Sequence, residues 1–447
     1  MLNMLQRPKL DASICHLVSL RQQGKCKTQF FEQGIERRLL EHWTLLRDPE
    51  IVSPHQKAIA SLSVDKSDRF LLAASGDATL SIYDVSKWGT EAFLSQDSPN
   101  TRRCAYPPVA RSQKHFGAQS PLQLPFGHST ALAFCAWYPV DSGIFFSSAR
   151  DGSILLWDTN QMSPVLQVKP FGDESSTHGA TSLQPDGSLI ATGSRMESQI
   201  KLVDVRSGAH SHELTADVGT SALHWSPSAS TILASGSRDG SIRLWDIRKS
   251  GSAACVTILN REGTPFRKSF RGDYAHLRPR TQSGKKRRGG PGNYRSIQSI
   301  SVKSHSGYVS GLSFFPGGQT LASVGGSDGE LLLWDLRSGI PTNARFVAHG
   351  GREACTTMAD KAALSLTRGW GSSAIWVGRE TQVLGYSRDG GSPKSVLSGH
   401  MSNITCIEQM GTNLVVGEEE GMISCWGADM ESDTSRSAGK TDDHDNW

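Results

Sequence analysis

Short runs in which apolar residues alternate with small or polar ones recur along this chain, and a period of two predicts strands that bury one face. The fullest example is Leu233 to Arg248, LASGSRDGSIRLWDIR. Ile242 and Leu244 give it an inward face. Asp239-Gly240 interrupts it where a tight hairpin needs backbone freedom and a side chain that bonds local amides. Near copies lie at Phe145 to Thr159, FFSSARDGSILLWDT, and at Leu321 to Arg337, LASVGGSDGELLLWDLR; a degraded copy ends at Val203-Asp204-Val205-Arg206. Earlier still, Ser75-Gly76-Asp77 leads to Tyr83-Asp84. Such self-similarity predicts a repeat architecture. The first 47 residues follow a different rhythm: Phe30, Phe31, Ile35, Leu39, Leu40 and Trp43 recur at three- and four-residue spacing, which predicts a helix with one apolar stripe. A shorter helix is expected from Ala12 to Gln22, with Gly24 between the two.

The repeats resemble WD40 blades. In such blades the turn Asp precedes the Trp by six residues, a Ser or Thr precedes the Asp by four, a Gly-His dipeptide lies upstream, and the four side chains form a buried hydrogen-bonded chain. His128, Ser147, Asp151 and Trp157 fit in full. Ser235, Asp239 and Trp245 fit, but the expected His falls near Ala216. Asp328 and Trp334 have His305, with Ser323 displaced by one position; Trp426 has His400, with Glu420 in the place of Asp; His55 precedes the repeat of Asp77 and Tyr83. Tyr83 and Trp426 are 343 residues apart. Six steps of roughly 40 to 45 residues, plus two insertions, account for that distance, so seven blades are expected. Their anchors are Tyr83, Trp157, Val203, Trp245, Trp334, the neighbourhood of Tyr386, and Trp426. A segment around Glu50 to Ser53 is expected to add the last strand that closes the ring and removes its open edges. The fold class is therefore all-β, a seven-bladed WD40 β-propeller over 48–427 with an N-terminal helical segment over 1–47 and a mobile tail over 428–447.

Composition suits this: 45 Gly and 11 Trp among 447 residues fit many short strands joined by tight turns. No run approaches the length of a membrane span, residues 1–20 lack the layout of a secretory signal, and an intracellular protein is expected. Eight scattered cysteines form no C-x-x-C pair, which points to reduced thiols and away from a metal site. The net charge of +4 is uneven, because Arg261 to Ser296 holds eleven Lys or Arg against Glu262 and Asp273. That stretch, expected to be a disordered loop over 261–296, contains Lys285, Lys286, Arg287 and Arg288. A solvated linker, a nuclear localisation signal and a weak nucleic-acid contact are its three readings. A second insertion is expected over 91–124 as a long connection between blades.

Catalytic constellations are not expected. The conspicuous His and Asp side chains are accounted for by the blade hydrogen bonds, and no nucleophile elbow, phosphate-binding loop or H-E-x-x-H occurs. The adjacent Glu418, Glu419 and Glu420 are expected to be solvated. No cofactor, no metal and no enzymatic activity are implied.

The arginines two positions past the repeat Asp narrow the function. Arg248, Arg337 and the less regular Arg206 fall just beyond a strand end, on the rim of a propeller. Each has two readings: a salt bridge with its own repeat Asp, or contact with a docked protein, for which a planar guanidinium is well suited. The sixteen-residue pattern closed by Trp-Asp-x-Arg resembles the box shared by WD40 proteins that dock on damaged DNA-binding protein 1, the adaptor of cullin-4 ubiquitin ligases. The opening Met1-Leu2-x-x-Leu5, Trp137-Tyr138-Pro139 with Asp141-Ser142-Gly143, Leu223-x-Trp225-Ser226-Pro227 before Ile232-Leu233-Ala234, and Leu202-Val203-Asp204 with Ser207-Gly208 together resemble the Cockayne syndrome A family, in a plant or distant form. The resemblance covers residues 50–427 at blade level. It implies a nuclear, non-catalytic substrate receptor acting in transcription-coupled nucleotide excision repair, with a Swi2/Snf2-type repair ATPase and RNA polymerase II as its substrates. It also implies that the N-terminal segment, with Phe31, Ile35, Leu39 and Trp43, inserts into the adaptor; without the resemblance, packing on the propeller's own rim is an equal reading. The alternative is a histone- or chromatin-binding WD40 scaffold.

Overall fold

The computed structural model describes residues 50–88, 105–115, 125–171, 178–261, 303–342, 363–366, 374–411 and 413–428, with short pieces at 19, 21–24, 43–45, 266–267, 344 and 346. Seven antiparallel sheets follow one another along the chain. Blade 1 has its first three strands at Ile59–Val64, Phe70–Ser75 and Leu80–Asp84, and its fourth at Ala110–Arg111. Blades 2, 3 and 4 begin at Leu132–Trp137, His178–Leu183 and Thr220–Trp225; blades 5, 6 and 7 begin at Val309–Phe314, Leu364–Leu366 and Ile404–Met410. The sheets of blades 1 to 6 run outward in chain order. The ring is thus a seven-bladed β-propeller, nearly all sheet.

Apolar alternation explains why the sheets stack. Leu72, Leu80 and Ile82 of blade 1 share one buried cluster with Cys135, Phe145 and Trp157 of blade 2, and Ala234, Ile242 and Leu244 of blade 4 share another with Val309, Leu321 and Trp334 of blade 5. Each layer therefore belongs to two neighbouring blades, and burying such area is the main favourable term in the fold.

Closure differs from expectation. The strand that completes blade 7 is Trp43–Leu45, paired antiparallel with Ile423–Ala428 in the register Trp43 to Ala428 and Leu45 to Trp426. Trp43 thus lies in a strand, not at the end of a helical stripe. Its indole meets Trp376 of blade 6 edge to face, with ring centroids 4.9 Å apart. Glu50–Ile51, the segment expected to close the ring, instead pairs in parallel with Ala105–Tyr106. The expected connection over 91–124 therefore contains two pieces of sheet, since Ala110–Arg111 is the outer strand of blade 1. These strands are two or three residues long, too short for a period of two to reveal them.

Among the N-terminal residues, Ser19, Arg21 and Gln22 are helical and Gly24 has a positive φ of 67°. Phe31, Ile35 and Leu39 lie outside the described residues, as do Lys285, Lys286, Arg287, Arg288 and the tail beyond Ala428. Phe266–Arg267, inside the basic insertion, adds a fifth strand to blade 4.

Candidate functional site

The alternation of strand direction gives the ring two rims. The lower rim carries the turn between a blade's first and second strands and the turn between its third and fourth. The upper rim carries the hairpin between second and third strands and the connections between blades.

The buried polar chains hang from the upper rim. In blade 2, His128 Nε2 is 2.6 Å from Ser147 Oγ, Trp157 Nε1 donates to the same Oγ at 2.7 Å, and His128 reaches Asp151 through Ser153, whose hydroxyl donates to Asp151 at 2.6 Å. Blade 5 is also complete: His305 lies 3.3 Å from Asp328 and 2.8 Å from Ser323, and Trp334 donates to Ser323 at 2.8 Å. The longer hairpin absorbs the one-residue displacement of Ser323. In blade 4, Trp245 donates to Ser235 at 2.8 Å and Asp239 accepts from Ser241 at 2.7 Å, while the buried Arg243 bonds Asp217 at 2.8 Å and Ser237 at 3.3 Å, neither of them the Ser235 that a His would meet. Asp217 directly follows the Ala216 at which the His was expected.

Blade 7 needs a correction. Glu418, not Glu420, faces His400, at 2.9 Å, and also accepts the backbone N–H groups of Met401 and Ser402. Glu418 is 4% exposed, so it is not a solvated carboxylate, whereas Glu419 and Glu420 are exposed. Burial by itself would raise the Glu418 pKa, but the His400 bond and the two amides outweigh it and hold the carboxyl below its ordinary value. The serine that serves Trp157 and Trp245 stands ten residues before each, and Val416 occupies that place in blade 7. Trp426 Nε1 and His400 Nε2 are accordingly buried without partners. A hydroxyl two residues past the turn Asp, at Thr79, Ser153 and Ser241, binds that Asp in three blades. Sequence reasoning passed over it, although the D-x-S/T spacing was visible.

On the lower rim the repeat Asp stands opposite the first residue of the second strand: Leu189 with Asp204, Ile232 with Asp246, Thr320 with Asp335. Each accepts the N–H two residues on, from Arg206 at 2.8 Å, Arg248 at 3.1 Å and Arg337 at 3.0 Å. This Asx turn ends the strand and leaves the following side chain at the edge. The structure therefore brings Arg206, Arg248 and Arg337 to equivalent, exposed positions on three consecutive blades of one rim. Arg248 also forks back onto Asp246, with Nη2 2.7 Å from Oδ2 and Nε 2.9 Å from Oδ1. That bond is the main reason the Asp246 carboxyl sits below its usual range. The Arg248 side chain stays 71% exposed, and of its five N–H donors the fork uses two. The same rim receives the mouth of a central channel of about 850 Å³, bordered by Asp65, Tyr138, Gln184, His224, Phe314 and Glu408. Among the described residues no group of three or more His, Cys, Asp or Glu side chains could hold a metal ion.

Comparison with known proteins agrees with the geometry. The model of the WD domain, G-beta repeat, matches residues 49–84, 119–158, 208–246 and 296–335. The chain is 25% identical to WD repeat-containing protein ATCSA-1 of Arabidopsis thaliana over 96% of its own length and 98% of that protein's. It is also 29% identical to ribosome biogenesis protein ytm1 of Emericella nidulans and 30% identical to that of Aspergillus niger, in both cases over 43% of this chain and 40% of the relative. The four repeat matches fall on blades 1, 2, 4 and 5; blades 3, 6 and 7, where the anchor Trp or the turn Asp is lost, complete the ring in the structure. The chain is a WD40 repeat protein folded as a seven-bladed β-propeller.

Proposed function

We infer that this chain is a non-catalytic substrate receptor of a cullin-4 ubiquitin ligase, acting in transcription-coupled nucleotide excision repair. The observation that carries the reading is the row of Arg206, Arg248 and Arg337 on one rim of blades 3, 4 and 5, each closing the same Asx turn. Similarity to ATCSA-1 along nearly the whole of both chains supports the Cockayne syndrome A assignment. The lower rim and the N-terminal segment would hold the damaged DNA-binding protein 1 adaptor, and the upper rim would hold the substrate, with a Swi2/Snf2-type repair ATPase and RNA polymerase II as candidates. Ubiquitin transfer would take place on other subunits; this chain supplies proximity, which raises the local concentration of the reacting partners. Lys285, Lys286, Arg287 and Arg288 would direct it to the nucleus.

The test is copurification with the adaptor. The variants are Arg206→Ala, Arg248→Ala and Arg337→Ala combined, and separately a chain lacking residues 1–40. The truncation stops short of Trp43 because Trp43–Leu45 closes the ring. Loss of the adaptor from both variants, with the melting temperature unchanged, is the expected result. Full retention by both would overturn the assignment.

A further inference from the structure

A second row of arginines lies on the opposite rim. The residue that follows a blade's second strand occupies the same place in the ring each time, and in blades 2 and 4 its N–H bonds the carbonyl just ahead of the first strand: Arg150 to Ala131 at 2.9 Å, Arg238 to Gly219 at 3.1 Å. In blades 2, 3 and 4 it is Arg150, Arg195 and Arg238; in blades 1, 5 and 7 it is Gly76, Gly326 and Glu419. Between blades 3 and 4 this rim is hollowed into an open recess of about 620 Å³ bordered by Arg195, Met196, Asp217, Val218, Arg238 and Asp239. A Cβ on Gly219 would stand 1.9 Å from the Arg195 carbonyl. The two blades thus meet backbone to backbone along this wall, which gives the recess a fixed shape.

Two further features point to what the recess takes. Met196 is 69% exposed at its edge, so an apolar contact is available beside the guanidinium groups. The basic insertion is also rooted here. Arg261 N bonds Lys303 O at 3.4 Å, joining the two ends of the insertion, and the returning chain places Ser304 N and His305 N on Gly240 O, each at 3.0 Å. Gly240 belongs to the same hairpin as Arg238. The sequence over 261–296 carries eleven Lys or Arg against two acids.

We propose that the upper rim across blades 2 to 4 binds an acidic polypeptide segment that also carries apolar side chains, its carboxylates meeting Arg195 and Arg238 and an apolar side chain resting on Met196 and Val218. Carboxylate and guanidinium match as charge-assisted, bidentate partners. Nucleic acid fits less well. A phosphate backbone presents evenly spaced negative charge, whereas this row is interrupted by Asp151, Glu197, Asp217 and Asp239. Separate carboxylates can be placed around those acids. The site lies on the rim opposite Arg248 and needs no adaptor, so it stands or falls independently of the ligase reading.

The test uses the purified full chain and fluorescence polarisation with three probes: a labelled dozen-residue peptide repeating Asp-Glu-Leu, the same peptide with Lys in place of both acids, and a dT oligonucleotide of matching length. Saturable binding of the acidic peptide alone is expected. The pair Arg195→Gln and Arg238→Gln, and separately Met196→Ser, should each weaken it by about tenfold, with Arg248→Ala having no effect. Both arginine changes leave the backbone bonds of this rim in place, and a thermal melt confirms the fold of each variant. The proposal is overturned if the acidic peptide does not saturate, if the rim variants bind it as the parent does, or if the oligonucleotide binds in its place.

Discussion

Arg248 Nη2 lies 2.7 Å from Asp246 Oδ2, two residues upstream, so the guanidinium is held at the strand end by a carboxylate of its own repeat. Asp246 is nearly buried and Arg248 is mostly exposed. Such a bond positions the arginine more than it stabilises the fold, since exposed ion pairs contribute little and are screened by salt. Arg248→Ala is therefore expected to leave the melting temperature unchanged while lowering adaptor recovery. Asp246→Asn should lower that recovery too, by releasing the side chain. Differential scanning fluorimetry beside copurification separates the two effects, and a large fall in melting temperature for Arg248→Ala would contradict the positioning role.

Ser147 serves two buried groups at once. Replacing it by Ala removes the acceptor of Trp157 Nε1 and the partner of His128 Nε2. Leaving both unsatisfied should cost about 2 to 4 kcal/mol, read as a shift in the urea midpoint. Blade 7 already carries that defect at Trp426 and His400. Val416→Thr is thus expected to cost far less than Ser147→Ala, because the new hydroxyl would meet groups that now lack partners.

Acidification should weaken the turns of the upper rim. Asp77, Asp328 and Glu418 all sit below their ordinary values of 3.8, 3.8 and 4.5, because hydrogen bonds from histidine, backbone and hydroxyl groups outweigh the effect of burial. A depressed carboxylate stabilises the fold above its unfolded pKa, and that contribution is lost as pH falls through the folded value. Melting temperature should thus be flat from pH 7 to about 5 and fall below about 4.5. Glu418→Gln should make the fall shallower, and an unchanged slope would remove Glu418 from the account.

Gly240 links blades 4 and 5. It has φ of 85°, and an added Cβ would stand 2.3 Å from the His305 carbonyl. Gly240→Ala combines backbone strain with a clash against backbone, at about 3 kcal/mol or more. Gly317, whose added Cβ would meet nothing, is the control: Gly317→Ala should be nearly neutral. Urea midpoints for the two variants measure the difference.

What the sequence made legible was whatever repeats. Trp157, Asp151 and His128 identified a blade because each side chain has a fixed partner at fixed spacing, and counting the copies predicted seven blades. Blade 6 was readable only as two strand-like runs, since the structure there depends on Ala363, Trp376 and Leu397 packing against neighbouring blades and not on a local signature. The closing strand is Trp43–Leu45 and not the expected Glu50 to Ser53, because its pairing with Ile423–Ala428 is set by partners nearly four hundred residues away. Glu418 is not distinguishable in the sequence, because three adjacent carboxylates look alike until a strand end buries one of them. The lower-rim arginines were named from the repeat; that they share a face with the channel mouth came only from the ring.

The shared seventh blade also fixes an order of events during synthesis. Its outer strand, Trp43–Leu45, leaves the ribosome before any blade exists, and its other three strands, from Ile404 onward, leave after six blades have been made. Until then the early strand has no partner, and six assembled blades present two raw edges. A chain stalled or cleaved before residue 404 would therefore be an open arc, its apolar faces exposed to whatever chaperone or neighbour meets them first.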